Sequence, residues 1–360
     1  MKIRNDNDQA FRMPAEWEPH EAVWLGWPHN ASDWPGKIAA IHFVYAEIVR
    51  CVAASEKARV IVNDAAHEAK AKAILSKANV SLEMVEFFRV PSNRGWTRDT
   101  GPIFVRTACV SGRPTSDSET AVAGFKFNAW AKYDDYEKDS KIAKTLAKKL
   151  KKNFFPVTHN GKPFVLEGGA IDVNGQGTLI TTEECLLDEK IQVRNPGVSR
   201  EEYEKVLVES LGATNVLWLG KGIAGDDTHG HVDDLCRFVD KKTVVLCREK
   251  NSKDANYALL EENRERLEGM RLENGSKINV AFLPMPETVI YRGQRLPASY
   301  ANFLITNSSV LVPTFNDPND RIALGTLAEL FPKRTVIGIH AVDLVWGLGT
   351  LHCLSQQQPM

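Results

Sequence analysis

Residues 166–182, LEGGAIDVNGQGTLITT, decide how the fold is read. Two short runs that alternate apolar and polar residues flank Asn174-Gly175, a dipeptide suited to the left-handed turn that joins antiparallel strands. Just ahead of the first run stands a carboxylate, Glu167, followed by Gly168 and Gly169, where a second backbone or a ligand can approach closely. The unit is therefore an acid, a close-approach turn and a hairpin.

The unit recurs in pattern, though not in residue identity. CRFVDKKTVVLC (236–247) turns about Asp240-Lys241-Lys242, NFLITNSSVLVPT (302–314) about Asn307-Ser308-Ser309, and GPIFVRTACVSG (101–112) reads as a fourth hairpin. Helical spacing of apolar residues fills the intervals at 36–54, 139–150, 198–212, 252–269 and 319–331. The third of these opens with Ser199 three residues before Glu202, a capping box, and stops at Gly212. Asp99, Glu167, Asp233 and Cys353 each precede or open a strand unit, at intervals of 68, 66 and 120 residues, the last being twice 60. A near-constant period predicts an α/β fold in which one structural unit repeats, so that equivalent strand ends converge on one axis and form a site there. No Pro/Ser-rich linker divides the chain, which predicts a single domain over 1–360 with 113–120 as a polar surface loop.

Bulk chemistry removes several function classes. Forty-five basic residues against 46 acidic ones leave a formal charge of -1, which gives no electrostatic handle on nucleic acid. No apolar run approaches the ~18 residues of a membrane span, and MKIRNDNDQAFRMPAEW at the start lacks the apolar core of a signal peptide. Cysteines 51, 109, 185, 236, 247 and 353 are scattered with no C-x-x-C pair. They read as reduced, mostly buried thiols of a cytoplasmic protein. The tryptophans at 17, 24, 27 and 34 read as core or channel-mouth packing.

The polar residues on the proposed axis suit one chemistry. GWTRDTGP (95–102) supplies Trp96 and Asp99; GDDTHGHVDD (225–234) supplies Asp226, Asp227, His229, His231, Asp233 and Asp234; GLGTLHC (347–353) supplies His352 and Cys353. His229 and His231 have no third or fourth ligand at compatible spacing, so no metal is expected. Two carboxylates can clamp a planar guanidinium through paired N–H bonds. A thiol can then attack the central carbon while a histidine handles the protons of leaving ammonia and incoming water. Trp96 would pack on the cation's face or wall off its stem.

At these residues the sequence resembles the guanidine-modifying superfamily, and most closely the agmatine deiminases. The matching stretches are MPAEWEPHEAVWLGWP, WTRDTGP, FNAW, LEGGAI, RNPG, GDDTHGHVDD, LPASYANF, VPTFNDP and LHCLSQQQP, in family order along nearly the whole chain. The resemblance implies a five-bladed pseudo-symmetric α/β-propeller (pentein) of ββαβ modules around a central channel. It implies hydrolysis of agmatine to N-carbamoylputrescine and ammonia without metal or organic cofactor. Cys353 would be the nucleophile, forming a covalent S-alkylthiouronium, and His231 the general acid and base. Asp99 and Asp233 would hold the guanidinium, and Glu167 would orient histidine and substrate. Asp226 or Asp227 is the candidate for the substrate's far amine, Trp27 for ligand contact, and Gly349 and Thr350 for the surface beside the nucleophile.

One departure stands out. Where many family members carry Gly-Gly-Gly-Asn before the His-Cys pair, this chain has Gly347-Leu348-Gly349-Thr350, which replaces a carboxamide by a hydroxyl. The competing functions are a deiminase of arginine or peptidyl-arginine, an amidinotransferase, and a non-catalytic binder. An arginine site needs a cationic clamp for the carboxylate, and units of ~70 residues leave no room for the added helical domain typical of arginine deiminases. A non-catalytic binder of the same fold would lack the Cys-His-acid set. An isologous homodimer is the default assembly.

Overall fold

Hydrogen bonding sorts the strands of this computed structural model, which describes residues 9–109 and 119–360, into five sheets of three or four strands and two short ribbons. Each of the five sheets contains an antiparallel pair, then a helix, then a strand returning parallel to the second member of the pair. A parallel neighbour requires such a crossover, and a helix is the shortest way to supply it.

Asp172–Val173 and Thr178–Thr182 pair antiparallel around the Asn174-Gly175 turn, and the helix Arg200–Leu211 leads to Asn215–Leu219, parallel to Thr178–Thr182. Cys236–Phe238, Thr243–Arg248, the helix Ala255–Gly269 and Asn279–Pro284 repeat the order. So do Leu304–Ile305, Ser309–Thr314, the helix Asn319–Leu330 and Thr335–His340. The three hairpins read from sequence therefore form. The capping box on Arg200–Leu211 forms as well, with both Ser199 and Glu202 bonds made and Gly212 at a φ of 74°.

The fourth hairpin is wider than its sequence suggests. Ile103–Cys109 is one continuous strand, and its antiparallel partner is Thr120–Gly124, beyond the segment 110–118 that lies outside the described residues. Ile103, Phe104 and Val105 are all buried, with no turn residue among them, so the strand runs on instead of turning back. Residues 113–118 of the expected surface loop also lie outside the described residues. After Thr120–Gly124 come the helix Ile142–Leu150 and Phe154–Pro156, parallel to it. A helix over Ala65–Lys77, capped by Asp64, lacks the apolar periodicity of the others, because it buries only Ala71 and Leu75 and carries no apolar stripe.

The remaining sheet joins distant parts of the chain. His20–Gly26 lies parallel to Lys57–Val62 after the helix Ile38–Ala53, and antiparallel to Ser355–Pro359. The glutamine run at 356–358 is thus a buried strand whose side-chain amides bond within the protein, Gln356 Oε1 alone among them being buried without a partner. Gln358 Oε1 accepts from Trp24 Nε1 at 2.9 Å and from Arg59 at 2.6 Å, and Gln357 Oε1 accepts from Arg98 at 2.6 Å. Among the described residues no helix is long and apolar enough to cross a membrane.

Candidate active site

The turns that open the five sheets carry the unusual polar groups. Asp99 lies in the turn Thr97–Thr100, Glu167 ahead of Gly168–Ala170, Asp233 in Val232–Asp234 and Cys353 just ahead of Ser355–Pro359. The turn opening the remaining sheet holds Asn302, 69 residues after Asp233 and in step with the intervals of 68 and 66. The interval of 120 concealed a member.

Asn302 organises the nucleophile. Its Nδ2 donates to Asp234 Oδ1 at 2.9 Å and to Cys353 Sγ at 3.0 Å. Its Oδ1 accepts from Thr350 Oγ1 at 2.9 Å, His352 N at 3.0 Å and Cys353 N at 3.3 Å. A carboxamide presents donor and acceptor together, which neither an acid nor an apolar residue can do. Thr350 is 1% exposed and acts on this amide; it does not line the cleft.

Cys353 is 5% exposed, with its Sγ 3.8 Å from Asp233 Oδ2. That oxygen also meets His352 Nδ1 at 2.6 Å, and His352 Nε2 meets Glu16 Oε2 at 2.9 Å. Asp233 Oδ1, buried beside them, has no partner. Arg98 braces the segment from beneath, donating from its backbone N to Cys353 O at 3.1 Å and from Nε to His352 O at 3.2 Å. Burial, then the negative charges of Asp233, Asp234 and Asp99, push the Cys353 thiol well above its ordinary range. At rest the sulfur is therefore a neutral thiol.

His231 is fully buried, 3.9 Å from Asp99 Oδ1 through Nδ1 and 3.7 Å from Glu167 Oε2 through Nε2. Both separations exceed hydrogen-bond range, and neither ring nitrogen has a partner. Burial opposes its cation, but Asp99, the Cys185 sulfur and Glu167 outweigh that and hold the imidazole well above its usual pKa. Gly169 makes room for the ring, because a Cβ there would lie 2.4 Å from Nδ1. Against the cost of burial, Arg194 and His231 hold Glu167 down to about 2. Arg194 Nε lies 3.1 and 3.4 Å from the two Glu167 oxygens, and its Nη2 donates to Thr228 O at 2.5 Å. Asp99 accepts from Gly169 N at 3.1 Å and Trp130 Nε1 at 2.9 Å. Burial raises it to about 6, helped by Asp233 and Glu167 and opposed by His231.

A cleft of about 540 Å³, partly open to solvent, reaches this centre. Asp99 and Cys353 lie at its inner end, Trp96, Trp130 and Trp346 form aromatic walls, and Asp33, Arg94 and Asp227 stand along it. Asp227 is held by Lys132 Nζ at 2.6 Å and Tyr133 OH at 2.7 Å. Asp226 turns the other way. Its oxygens accept from Thr228 N and Oγ1, Gly230 N and His231 N at 2.6 to 3.0 Å, so it builds the loop that carries His231. Trp27 is absent from the cleft: its ring stacks on His42 at 5.4 Å and meets Tyr45 edge-on at 5.8 Å in the core. His229 bonds Asp188 at 2.9 Å.

Among the described residues, two groups have donor atoms within 4.8 Å of one another, Glu167 with Cys185 and His231, and Asp233 with Asp234 and Cys353. A cation in the first would compete with Arg194 for Glu167, and in the second with the Asn302 amide.

Gly349 is required by packing. An added Cβ would lie 2.9 Å from Trp96 Cζ3 and 3.0 Å from Cys353 Cβ. Gly349→Ala is expected to cost about 1–3 kcal/mol through overpacking, read as a lowered melting temperature. A variant that melts with the parent would refute the close packing.

Comparison with known proteins agrees with this chemistry. The sequence model of the Porphyromonas-type peptidyl-arginine deiminase family matches residues 12–359. An agmatine deiminase of Ectopseudomonas mendocina is 33% identical over 375 residues, covering 97% of this chain and 96% of that protein. One of Pseudomonas aeruginosa is also 33% identical over 375 residues, with the same coverage of 97% and 96%. Among solved structures, an agmatine deiminase of Enterococcus faecalis superposes with a TM-score of 0.86 at 30% identity, covering 97% of this chain and 96% of its own.

Proposed function

This chain belongs to the Porphyromonas-type peptidyl-arginine deiminase family, and we propose that it hydrolyses agmatine to N-carbamoylputrescine and ammonia. The carrying observation is Asp233 Oδ1, a buried carboxylate oxygen without a partner beside a thiol; the ring nitrogens of His231 are unpartnered as well, but as the N–H donors of a cation. Buried polar groups are nearly always satisfied, and a guanidinium with its fan of N–H donors satisfies acceptors of this kind.

In this reading the guanidinium lies between Asp99 and Asp233 with Trp96 on its flank. Its charge, arriving beside a thiol that three carboxylates keep protonated, favours the thiolate. Sulfur attacks the central carbon, and cationic His231 gives its proton to the departing nitrogen as the C–N bond breaks. Ammonia leaves, and the carbon stays on Cys353 as a thiouronium. Neutral His231 then takes a proton from water, whose oxygen attacks the same carbon. The C–S bond breaks, returning the sulfur and releasing the ureido product. Glu167, pinned by Arg194, fixes the imidazole and favours its cation.

The position of Asp227 in the cleft supports it, rather than Asp226, as the partner of the substrate's terminal amine. Arg94 on the same cleft already pairs with Asp33 and Asp135, which argues against a ready clamp for the carboxylate of free arginine. Five sheets with one strand order support a five-bladed propeller in a single domain.

Ammonia release from agmatine, L-arginine, peptidyl-arginine and methylated arginine tests the activity, and equal kcat/KM for agmatine and arginine would refute the substrate. The pH profile is a second test. Asp99 must be ionised to hold a cation, and its pKa is raised to about 6. Protonation as pH falls through that value removes the clamp, so below it kcat/KM should fall by up to about a further tenfold per unit, beyond the dependence set by ionisation of the thiol. A profile flat between about pH 5 and 7 would exclude Asp99 from binding.

A further inference from the structure

Leu348 occupies a conformation that disfavours it. Its φ is 68°, in the left-handed region where a branched side chain is crowded and glycine is not. The backbone there is imposed by its neighbours. A Cβ on Gly347 would lie 2.8 Å from both Trp34 and Trp96, and one on Gly349 would lie 2.9 Å from Trp96 and 3.0 Å from Cys353. Both flanking residues are therefore clamped against aromatic rings and the nucleophile. Residue 348 must bend left-handed whatever its side chain, so a leucine here carries strain that a glycine would relieve.

The side chain's surroundings offer a return for that strain. Leu348 is half-buried and lines the cleft alongside Trp346 and Cys353. Trp346 is itself fixed, stacked on Tyr291 at 3.5 Å between centroids, with Lys37 Nζ 5.0 Å from its ring. Leu348 thus adds a branched apolar surface to a rigid aromatic wall of the cleft that also holds the reacting sulfur and the charged groups Asp33, Arg94 and Asp227. A strained residue that lines a binding cleft points to selection for contact with the ligand.

We propose that Leu348 is a specificity-determining residue: its side chain packs on the methylene stem of an unbranched guanidinoalkylamine and disfavours substrates bearing a carboxylate or peptide group on the amine-bearing carbon. The proposal rests on the agmatine-hydrolysing activity. A stem without polar substituents gains apolar contact against Leu348. A carboxylate in the same place must shed water against a surface that offers no hydrogen bond.

Leu348→Gly and Leu348→Ala separate side chain from backbone, since alanine removes the apolar contact but keeps most of the left-handed crowding. In the full chain, kcat/KM for agmatine and the inhibition constant of L-arginine against it are measured alongside thermal melts. Both variants should lose about tenfold in agmatine kcat/KM, with arginine binding unchanged or tighter, so selectivity falls about tenfold. Leu348→Gly should melt about 1–3 °C above Leu348→Ala as the strain is released. Selectivity unchanged in both variants overturns the proposal, as does a glycine variant melting no higher than the alanine one. Failure of the parent protein to turn over agmatine is a different result, which overturns the activity itself.

Discussion

Cys353→Ser should release ammonia from agmatine at least about 10⁴-fold more slowly than the parent, through kcat. The hydroxyl keeps roughly the size of the thiol and can still accept from Asn302 Nδ2, now 3.0 Å from sulfur, so the fold should survive. What it loses is acidity. Burial and three carboxylates already hold the thiol protonated at rest, and the guanidinium's charge must overcome them. A serine starts from a far higher pKa in the same field, and no neighbouring base is free to activate it while His231 stays cationic. The parent, given a slowly hydrolysed guanidine, should gain mass on Cys353, and the serine variant should not. Undiminished turnover by the variant would exclude the covalent route.

Asp233→Asn should lower kcat/KM for agmatine by about 10³-fold, roughly 4 kcal/mol, by removing one charge from a buried ion pair. It should also make the thiol more reactive. Asp233 Oδ2 lies 3.8 Å from Sγ and is first among the charges that raise the thiol's pKa. Without that charge the free enzyme holds more thiolate at neutral pH, and alkylation of Cys353 by iodoacetamide should accelerate. Catalysis down with alkylation up is a signature that simple unfolding cannot mimic in a variant that retains the parent's circular dichroism. If both rates fall together, Asp233 is not the group that sets the thiol's charge.

Much of the fold was legible because it rests on local chemistry. Asn174-Gly175 dictates a tight turn whatever surrounds it, and Ser199 with Glu202 caps a helix through bonds made within one turn. The acids and the thiol were legible as reactive residue types at a regular spacing. Asn302 was not, because a neutral amide carries no such mark. Only the doubled interval between Asp233 and Cys353 pointed to its place. Asp226 and Asp227 are adjacent and chemically identical, and the sequence offers nothing to separate them. The loop that sends one inward and the other into the cleft depends on left-handed backbone at His229 and Gly230, with φ of 64° and 93°. Trp27 lies in the core and does not line the cleft, a placement the sequence does not give because a tryptophan near a motif says nothing about which face it presents. The glutamine run became intelligible only through its strand partner, more than 300 residues away in sequence.

That partner has a kinetic meaning. Cys353 is seated by the pairing of Ser355–Pro359 with His20–Gly26, and the bond from Trp24 to Gln358 spans 334 residues. Closing so large a loop costs more chain entropy than forming a local hairpin or helix, which favours the local elements forming first. Asn302, Asp233 and Arg98 can be in place earlier, but the sulfur joins them only when this pairing is made. A chain in which this pairing is open has the acids and the histidine without their nucleophile, so the chemistry depends on one long-range contact.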